Sequence, residues 1–526
     1  MMEEAKRQAG MHIFEIVLIG VVCFALCSLL AIYSYGRFGR RARGLPTRAL
    51  PVEEAETALD RAVAPLLRQH PGRSGLLLVA DNLQAFAVRA FAARNAGRSL
   101  DLQYYYWLDD LTGGLLAREV IAAADRGVRV RLLIDDINTR GDDASYLGLD
   151  RHPNIEVRLF NPSRNRSSSL RRGIELALRA LRATRRMHNK AWIADGRIAI
   201  IGGRNIGDAY FDASRTANFH DLDMLLVGEA VPQTERIFDD FWNSPMVIPL
   251  CSLSRSKLRR KLASQARRPA RRLLNAAPFL TNLAERKEAN VLPEAGRSLL
   301  WSADVEVVSD PPAKAWDPRG TGWLAERLLA SLSTARHELN ITSPYFIPGR
   351  KGTAAFAAMA RRGIKVSVLT NSLAATDVVA VHGAYARYRK PLLESGVALY
   401  ELRPEIIRDG PSLFGSRGAS LHTKAFTVDD ATGFVGSFNF DPRSASLNTE
   451  MGVIFNDPRL VAQMRTIFRA QTAPECSYQV VINGRRLVWN DTAAAGARKL
   501  RSEPGASFGK RLMATAIGLL PIESQL

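Results

Sequence analysis

The most strongly apolar part of the chain lies near its N-terminus. The segment IVLIGVVCFALCSLLAIY, Ile16–Tyr33, carries no charged residue and is bounded by Glu15. About 20 apolar residues in a helix cross the hydrocarbon core of a bilayer, so this pattern predicts a transmembrane helix. A cleaved signal peptide is the alternative, but no A-x-A-like site follows, and Leu26 precedes Cys27 where a lipoprotein signal has a small residue. We therefore expect residues 1–36 to form a retained anchor.

Basic residues follow the apolar segment and set its expected orientation. The charges ahead of the segment are mixed, whereas those directly behind it are Arg37, Arg40, Arg41, Arg43 and Arg48. Flanking segments rich in Lys and Arg stay in the cytoplasm. The pattern therefore predicts a single-pass protein whose body lies on the cytoplasmic side.

Downstream, the apolar positions predict two similar α/β units. In the first, LDLQYYYWLDD predicts a strand, Gly113–Gly127 predicts a helix that ends at a glycine, and VRVRLLIDD predicts a second strand. LNITSPYFIPG and MARRGIKVSVLTNS repeat this order in the second unit. Strand–helix–strand order indicates βαβ units with a parallel sheet. The expected fold class is α/β, with two α/β/α halves related by a pseudo-twofold axis and an N-terminal transmembrane helix.

The chain has 526 residues, which is enough for two or three domains. The bounds we expect are 1–36 for the anchor, 37–97 for a juxtamembrane helical segment, 98–248 for the first half, 249–300 for a basic linker, 301–472 for the second half and 473–526 for a C-terminal tail. The tail is apolar enough either to pack on the body or to lie on a membrane.

The net charge of the chain is strongly positive, at +20, with a pI near 10.2. This balance indicates a polyanionic partner, either nucleic acid or an anionic lipid surface. Two arginine-rich runs, Arg164–Arg186 and Arg255–Arg272, carry much of it. Each run is either a solvated face or linker, or a surface for lipid headgroups, at about 1 kcal/mol per basic residue near an anionic membrane. Because the predicted anchor belongs to the same chain, we favour the interpretation that both runs are surfaces for lipid headgroups.

One short motif occurs twice. His188-x-Lys190-x4-Asp195 in the first unit matches His422-x-Lys424-x4-Asp429 in the second. Ten residues beyond each aspartate stands an asparagine in a glycine-led turn, GGRN ending at Asn205 and GSFN ending at Asn439. Four residue types at the same offsets in both halves indicate a duplicated functional site.

Each copy of the motif is chemically incomplete, whereas the two together suit phosphoryl transfer. A neutral imidazole can attack phosphorus while a second, protonated imidazole gives its proton to the leaving alkoxide. Lysine ammonium and asparagine amide groups can meet the charge on the non-bridging oxygens. No separate carboxylate cluster is visible, and Cys23, Cys27, Cys251 and Cys476 lack the spacing of metal ligands. We therefore expect no metal and no cofactor.

The acidic residues around the motifs have other expected roles. Asp195 and Asp429 complete the set of candidate catalytic residues, but Asp195 precedes Gly196 in a pair typical of tight turns, which favours a structural role for both. Each histidine needs an acceptor on its second ring nitrogen. Asp223 and Glu450 are the candidates, with a turn or surface carboxylate as the alternative for each.

Four more residues have weaker expectations. His220 and His382 belong to no repeat, which favours a structural role for both. Tyr105 and Tyr345 stand at the ends of matching predicted strands, where each either lines the pocket or packs in the core.

The paired motifs resemble those of the phospholipase D superfamily. More narrowly, IGGRNIGDAYFD, LTNSLAATD and GSFNFDPRSASLNTEMG are similar to the bacterial cardiolipin synthase branch, C-type. The resemblance covers roughly Leu100–Phe468. It implies phosphatidyl transfer through a covalent phosphohistidine, in the inner membrane of a bacterium.

The resemblance also implies roles for individual residues. His188 would be the nucleophile and His422 the general acid and base, although the symmetry of the site leaves the reverse open. The residues that would hold the phosphate are Lys190, Lys424, Asn205 and Asn439. Ser437 would add a hydroxyl contact from one side, because Gly203 stands at the matching place in the first copy.

Four functions are open at this point. The first is cardiolipin synthesis, with phosphatidylglycerol as acceptor and phosphatidylethanolamine as a further candidate lipid. If water is the acceptor, the same site is a phospholipase D that releases phosphatidic acid. A nuclease or phosphodiesterase would suit the positive charge but not the apolar anchor, so nucleic acid is a disfavoured partner. A membrane scaffold without activity is disfavoured by the two intact motifs.

Overall fold

The computed structural model describes residues 2–53, 56–139, 143–166, 168–214, 216–253, 276–285, 298–317, 320–404, 419–492, 498–520 and 522–525. The arginine-rich run Arg255–Arg272, for which we expect a surface for lipid headgroups, lies outside the described residues.

The chain begins with one long helix, α1 (Met2–Ala42). Its part Phe14–Ala42 reaches a mean hydropathy of 2.8, and none of that apolar window is buried inside the protein. Among the described helices it is the one that is long and apolar enough to cross a membrane. The predicted anchor is therefore one continuous helix that extends beyond residue 36.

The first half of the body contains a sheet covered by helices. The strands as far as residue 302 are β1 (Ser74–Val79), β2 (Ser99–Tyr104), β3 (Arg129–Asp135), β4 (Ile155–Phe160), β5 (Ala191–Ala194), β6 (Ile198–Gly202), β7 (Asn218–His220), β8 (Asp223–Gly228), β9 (Val247–Pro249) and β10 (Leu300–Ser302). The helices are α2 (Ala58–Gln69), α3 (Asn82–Asn95), α4 (Leu111–Asp125), α5 (Asp143–Leu149), α6 (Ser169–Leu178), α7 (Ala180–Ala183), α8 (Ala230–Trp242), α9 (Leu250–Leu253) and α10 (Ala277–Glu285). The glycine predicted to end α4, Gly127, has a φ of 94°, which favours glycine.

The second half repeats this construction. Its strands are β11 (Val305–Ser309), β12 (Glu338–Thr342), β13 (Lys365–Asn371), β14 (Ala398–Leu402), β15 (Ala419–Leu421), β16 (Ala425–Val428), β17 (Thr432–Gly436), β18 (Met451–Asn456), β19 (Ser477–Asn483), β20 (Arg486–Asp491) and β21 (Arg498–Leu500). Its helices are α11 (Leu324–Ser333), α12 (Gly349–Arg361), α13 (Val379–Glu394), α14 (Pro442–Ser446), α15 (Pro458–Thr472) and α16 (Phe508–Gly518).

The two sheets share one strand order. The first contains the series β1-β8-β6-β5-β2-β3-β4, and the second contains β11-β18-β17-β16-β12-β13-β14. Each of the seven strands in one series therefore has an equivalent in the other, and the predicted duplication is confirmed. Only the β2-β3-β4 and β12-β13-β14 pairs in these series are parallel. The sheets are mixed rather than wholly parallel, because the motif strands β5 and β16 run antiparallel to β2 and β12.

The halves extend beyond the bounds that we expect from the sequence. β1 lies in the predicted juxtamembrane segment, yet it pairs with β8 in the first sheet. β10 pairs with β1, so a strand at the start of the predicted second half belongs to the first sheet. The predicted tail supplies β19, β20 and β21 to the edge of the second sheet.

The two halves are joined through a common core and a small strand pair. One hydrophobic cluster contains Met187 and Met224 from the first half together with Val435 and Met451 from the second. β7 and β15 form a parallel pair that crosses from one half to the other. This contact brings the segment before β8 against the segment before β16, where the second motif lies.

Candidate active site

Both His-x-Lys pairs lie directly before equivalent strands. His188 and Lys190 precede β5, and His422 and Lys424 precede β16, so the pairs lie at strand entrances rather than within strands. The other half fixes the main chain at each histidine. The His188 N–H donates to the carbonyl of Thr449 (2.8 Å), and the His422 N–H donates to the carbonyl of His220 (2.8 Å). Neither motif is positioned by its own half alone.

The imidazoles are paired in the same crossed manner. His188 Nδ1 lies 2.7 Å from Glu450 Oε2, and His422 Nδ1 lies 2.5 Å from Asp221 Oδ2. A carboxylate on Nδ1 fixes the proton there and leaves Nε2 as the nitrogen available to a substrate. Because each carboxylate comes from the opposite half, the crossed pairs draw both histidines into one interface.

The structure places Asp223 away from both histidines. Its Oδ2 accepts from Arg89 Nη2 (2.8 Å) and lies 3.2 Å from Arg204 Nη1, and all three side chains are buried. Asp223 is thus a structural anion inside the first half, and its expected role beside a histidine is wrong. Glu450, the other candidate, does lie on a histidine.

Asp221 takes the place expected for Asp223, and strand register explains the error. Gly202 pairs with Asp223 in the first sheet, and Gly436 pairs with Gly452 in the second. Asp221 lies two residues before Asp223, and Glu450 lies two residues before Gly452, so Asp221 is the equivalent of Glu450. The loop that leads to Asp221 is longer than the loop that leads to Glu450, so linear offsets from the motif mislead. An alignment of the two apolar strands would have found it.

The structure also explains why Ser437 in the second motif corresponds to Gly203 in the first. Ser437 Oγ donates to Glu450 Oε2 at 2.6 Å, so this hydroxyl holds the carboxylate rather than facing the phosphate position. At Gly203, a Cβ would come within 2.2 Å of Asp221 Oδ1. Glycine is required there because Asp221 approaches the backbone closely. The predicted phosphate contact of Ser437 is therefore replaced by a positioning role.

Two lysines and two asparagines supply the polar groups around the imidazoles. Lys190 Nζ donates to the His188 carbonyl (2.7 Å), and Lys424 Nζ donates to the His422 carbonyl. The side-chain oxygens of Asn205 and Asn439 are buried and have no hydrogen-bond partner among the described residues. Rotating either amide by half a turn exchanges its oxygen for its NH₂ group. Each asparagine thus retains hydrogen-bonding capacity for a substrate.

The motif aspartates lie at the far ends of the motif strands. Asp195 accepts backbone N–H groups from Gly97, Arg98 and Ser99, at 2.8–2.9 Å for its closest contacts. Asp429 does the same for residues 336–338, with contacts of 2.8–3.0 Å. Their φ angles of 54° and 50° place both in turns. Their inclusion among the catalytic candidates is wrong, and the structural role favoured by turn chemistry is what the structure shows.

Aromatic rings flank the imidazoles with the same symmetry. Tyr105 lies edge-on to His188 with ring centroids 5.0 Å apart, and Tyr210 lies edge-on to His422 at 5.2 Å. Tyr105 therefore lines the site. Tyr345 instead donates its hydroxyl to Asp377 Oδ2 at 2.8 Å. Tyr210 carried no signal in the sequence, because it belongs to no repeat.

The two remaining histidines have structural contacts. His220 contributes its main-chain carbonyl, which accepts hydrogen bonds from the backbone N–H groups of His422 and Thr423. His382 Nε2 lies 3.1 Å from Arg389 Nη2, in a separate cluster with Glu401 and Glu503. The Arg389 guanidinium occupies the centre of that acidic group.

Burial dominates the electrostatics of the site. It lowers the pKa of His188 to about 4 and holds the pKa of His422 well below its usual value, with Lys190 and Lys424 adding to both shifts. Burial also lowers the pKa of Lys190 to about 7 and that of Lys424 to about 8. These shifts express the cost of enclosing cationic groups together, a cost that an arriving anion would reduce.

The two carboxylates that contact the histidines, Glu450 and Asp221, have pKa values shifted in opposite directions. Burial alone would raise the pKa of Glu450, but contact with His188, Lys190 and Ser437 holds it below its usual value. Burial raises the pKa of Asp221, only partly opposed by Lys424 and Arg204. Glu450 therefore keeps its negative charge more readily than Asp221 does.

The different contacts of Asp221 and Asp223 predict different defects. Asp221→Asn should lower turnover about 10²-fold through the loss of support for His422, while the protein stays folded. Asp223→Asn should lower the free energy of unfolding by about 3 kcal/mol, because two buried guanidinium groups lose their anion. Turnover per folded molecule and thermal melts of both variants measure this contrast. Equal loss of stability in the two variants would contradict the assignment.

Comparison with known proteins agrees with this geometry. A family model described as "Cardiolipin synthase, PLD-like domain" matches residues 92–242 and 328–472. Cardiolipin synthase C of Escherichia coli strain K12 is 40% identical over 482 residues, which cover 88% of this chain and 99% of that protein. A cardiolipin synthase of Staphylococcus aureus strain Mu50 is 25% identical over 397 residues, covering 75% of this chain and 67% of that protein.

The fold also resembles that of a solved structure. The crystal structure of phosphatidylserine synthase from Haemophilus influenzae Rd KW20 matches with a TM-score of 0.52 at 15% identity, covering 80% of this chain and 92% of that chain. The two matched segments each contain one His-x-Lys pair, and the strand order repeats between them. The chain therefore belongs to the phospholipase D-like cardiolipin synthase family, as the paired motifs predict.

Proposed function

We propose that this protein transfers a phosphatidyl group from one glycerophospholipid to the hydroxyl of phosphatidylglycerol, and so produces cardiolipin. The observation that carries the proposal is the crossed pairing of His188 with Glu450 and of His422 with Asp221 at one interface. A phosphodiester needs a nucleophile on one side of phosphorus and a proton donor on the other. The paired imidazoles supply both.

In the first step, His188 Nε2 attacks phosphorus and forms a P–N bond. The bond from phosphorus to the headgroup oxygen breaks, and His422 gives its proton to that oxygen. In the second step, His422 takes a proton from the hydroxyl of phosphatidylglycerol, whose oxygen attacks phosphorus and displaces His188. Each imidazole returns to its starting state, and no oxidant or reductant is involved.

The asymmetry of the carboxylates supports His188 as the nucleophile. The imidazole that becomes attached to phosphorus carries positive charge, so it needs a permanent anion on Nδ1. Glu450 accepts hydrogen bonds from Ser437 (2.6 Å) and Ser444 (2.9 Å) as well as lying on His188. Asp221 pairs with His422 and otherwise accepts the N–H of Leu222. We therefore assign proton transfer to His422.

The lysines and asparagines suit the phosphate itself. Lys190 and Lys424 are the cationic side chains beside the two imidazoles, and both are buried. Donors fixed in a buried site stabilise the charge that develops on the non-bridging oxygens. We propose that Asn205 and Asn439 turn their NH₂ groups to the same oxygens.

The lysine pKa values predict how the rate depends on pH. A lysine must be protonated to attract the phosphodiester, and its proton is lost as the pH rises. His422 must also carry the proton that it donates, and its pKa in the free protein lies well below its usual value. We therefore expect kcat/KM to fall as the pH rises and to fall more steeply through about 7 to 8, where Lys190 and Lys424 titrate in the free protein. Initial rates on mixed micelles from pH 5 to 10 measure this limb. A rate that stays constant up to the pH of an ordinary lysine would contradict it.

Separation of the lipid products tests the acceptor. The purified full chain should convert phosphatidylglycerol in vesicles to cardiolipin, without added metal and in the presence of a chelator. Phosphatidic acid as the main product would indicate that water is the acceptor and that the protein is a hydrolase. Adding phosphatidylethanolamine with a labelled phosphatidyl group shows whether this lipid is also a donor. Turnover that a chelator abolishes would contradict the mechanism.

The anchor suggests where the reaction takes place. α1 supports a membrane-anchored protein, and we propose that its body lies on the cytoplasmic side of the inner membrane, because arginines follow the apolar segment. Protease digestion of intact spheroplasts and of inverted vesicles distinguishes the two sides. Digestion of the body from the outer face of spheroplasts would reverse this orientation.

A further inference from the structure

Helices α6 and α7 have their charged side toward the protein and their apolar side outward. Arg172 donates to Asp136, Glu175 accepts backbone N–H groups of Arg164 and Asn165, and Arg179 contacts Asn161. The opposite side presents Leu170, Ile174 and Leu181, of which Leu181 is 83% exposed. Leu170 and Ile174 are four residues apart and share one face of α6, and Leu181 is exposed on α7, which follows directly. This arrangement is the reverse of that on the surface of a water-soluble protein.

The C-terminal helix α16 presents a second stripe of the same kind. Phe508, Leu512 and Leu519 follow the same spacing and are exposed, with Phe508 at 75%. The inner side of α16 packs closely on α13, where a Cβ added at Gly383 would come within 2.4 Å of the Ala514 carbonyl oxygen. α16 is therefore docked firmly on the body while its apolar side faces outward.

The chain around α6 also contacts the end of the predicted transmembrane helix. The Tyr35 hydroxyl of α1 donates to the Pro162 carbonyl (2.7 Å), and the Arg179 guanidinium lies 3.2 Å from the centre of the Tyr35 ring. Arg164 also donates to Ser34 at 3.1 Å. Since Tyr35 follows directly after the most apolar part of α1, these contacts place α6 where α1 leaves the hydrocarbon core.

The two stripes are linked next to the active site by one arginine. Arg443 lies on α14, shortly after Asn439, and donates to the carbonyls of Thr184 (2.7 Å) and Gln525 (3.2 Å). Thr184 follows α7 directly, and Gln525 lies in the 3₁₀ turn that follows α16. Arg443 therefore ties the end of α7 to the turn that follows α16, close to Asn439.

We propose that the outer sides of α6–α7 and α16 are inserted into the headgroup and upper acyl region of the bilayer that α1 spans. Single exposed leucines are ordinary, but an apolar stripe on a helix that contacts a transmembrane helix, together with a second stripe on α16, is of the kind that lies in a membrane interface. Arg171 and Arg182 are exposed beside the first stripe, where they can meet anionic headgroups. The inserted helices would hold the active site at the membrane surface. The proposal holds whichever lipid is the acceptor.

This surface also revises the expectation for the arginine-rich run Arg164–Arg186. Several of its arginines are turned inward, since Arg166 pairs with Asp136 and Asp143, and Arg186 pairs with Asp135. The leucines and isoleucine between them, rather than these arginines, would contact the lipid.

Fluorescence quenching in vesicles tests the insertion. The full chain, with Cys23, Cys27, Cys251 and Cys476 changed to Ser, receives one new cysteine for an environment-sensitive label. The label is placed at Leu181 or at Leu512, and Ala122 is the control position. Ala122 is exposed in the last turn of α4, which ends beside the start of β3, at the end of the strands opposite the site. Vesicles of phosphatidylglycerol and phosphatidylethanolamine carry nitroxides in their upper acyl chains, and iodide serves as the aqueous quencher.

We expect labels at positions 181 and 512 to be quenched several-fold more by the nitroxides than by iodide, and the label at position 122 to show the opposite. Iodide quenching equal to that at position 122 would overturn the proposal. Protection from both quenchers would also overturn it, because another part of this chain or a second copy would then cover the stripe. Repeating the measurement with His188→Ala separates insertion from catalysis, since insertion should not change in the inactive protein.

Discussion

His188→Ala and His422→Ala are each expected to lower phosphatidyl transfer by about 10⁴-fold, because each removes one of the two imidazoles that act on a single phosphorus atom. The double variant should be no slower than either single variant, since residues that act as a unit lose their effect together. Cardiolipin formed from phosphatidylglycerol in vesicles measures all three. His337→Ala, at an exposed histidine outside the site, is the control and should keep full turnover.

A donor with a good leaving group separates the roles of the two histidines. A phosphatidyl ester of p-nitrophenol needs no proton donor for departure of the phenolate. His422→Ala should therefore release about one phenolate per protein in a burst and retain an acid-labile phosphatidyl group on His188. His188→Ala should give no burst. The reverse pattern would make His422 the nucleophile, and near-normal transfer by either single variant would contradict a site shared between the halves.

The duplicated motif made the general site predictable from sequence. His188, Lys190 and Asn205 recur as His422, Lys424 and Asn439 at equal offsets, and such a repeat of chemically active residues indicates one shared site without any knowledge of the sheets. The strand order then confirmed the duplication. Glu450 could also be predicted, because only a short segment with the five-residue helix α14 separates it from Asn439.

The residues that were missed depend on contacts that linear distance does not encode. Asp221 lies beyond a longer loop than its equivalent, so its offset from the motif does not show the equivalence that the pairing of β6 with β8 reveals. Ser437 matched the expected phosphate contact by residue type, but its hydroxyl is taken by Glu450. In the run Arg164–Arg186, the sequence shows the positive charge, whereas the acidic residues that neutralise it lie at and beyond the end of β3.

Glu450→Gln should have the second largest effect, because it removes the anion from His188 while keeping the shape of the side chain. Oε2 of Glu450 lies on His188 and Ser437, so the charge is fixed beside the proposed nucleophile. We expect turnover to fall about 10³-fold through weaker support of the positively charged phosphohistidine. Lys190 and Lys424 also lose an opposing charge in a buried site, so the free energy of unfolding should fall by about 3 kcal/mol.

The same substitution should move the pH dependence in a defined direction. Glu450 raises the pKa of both Lys190 and Lys424, so its neutralisation should lower these pKa values further. The decline of kcat/KM with rising pH should then begin at a lower pH than in the unchanged protein. Glu306→Gln is the matched control, because Glu306 pairs with Arg327 and both side chains are about half exposed. Its effect on stability should be at most about 1 kcal/mol. A pH profile that does not move in Glu450→Gln would contradict the prediction, because it would show that Glu450 does not stabilise the protonated lysines.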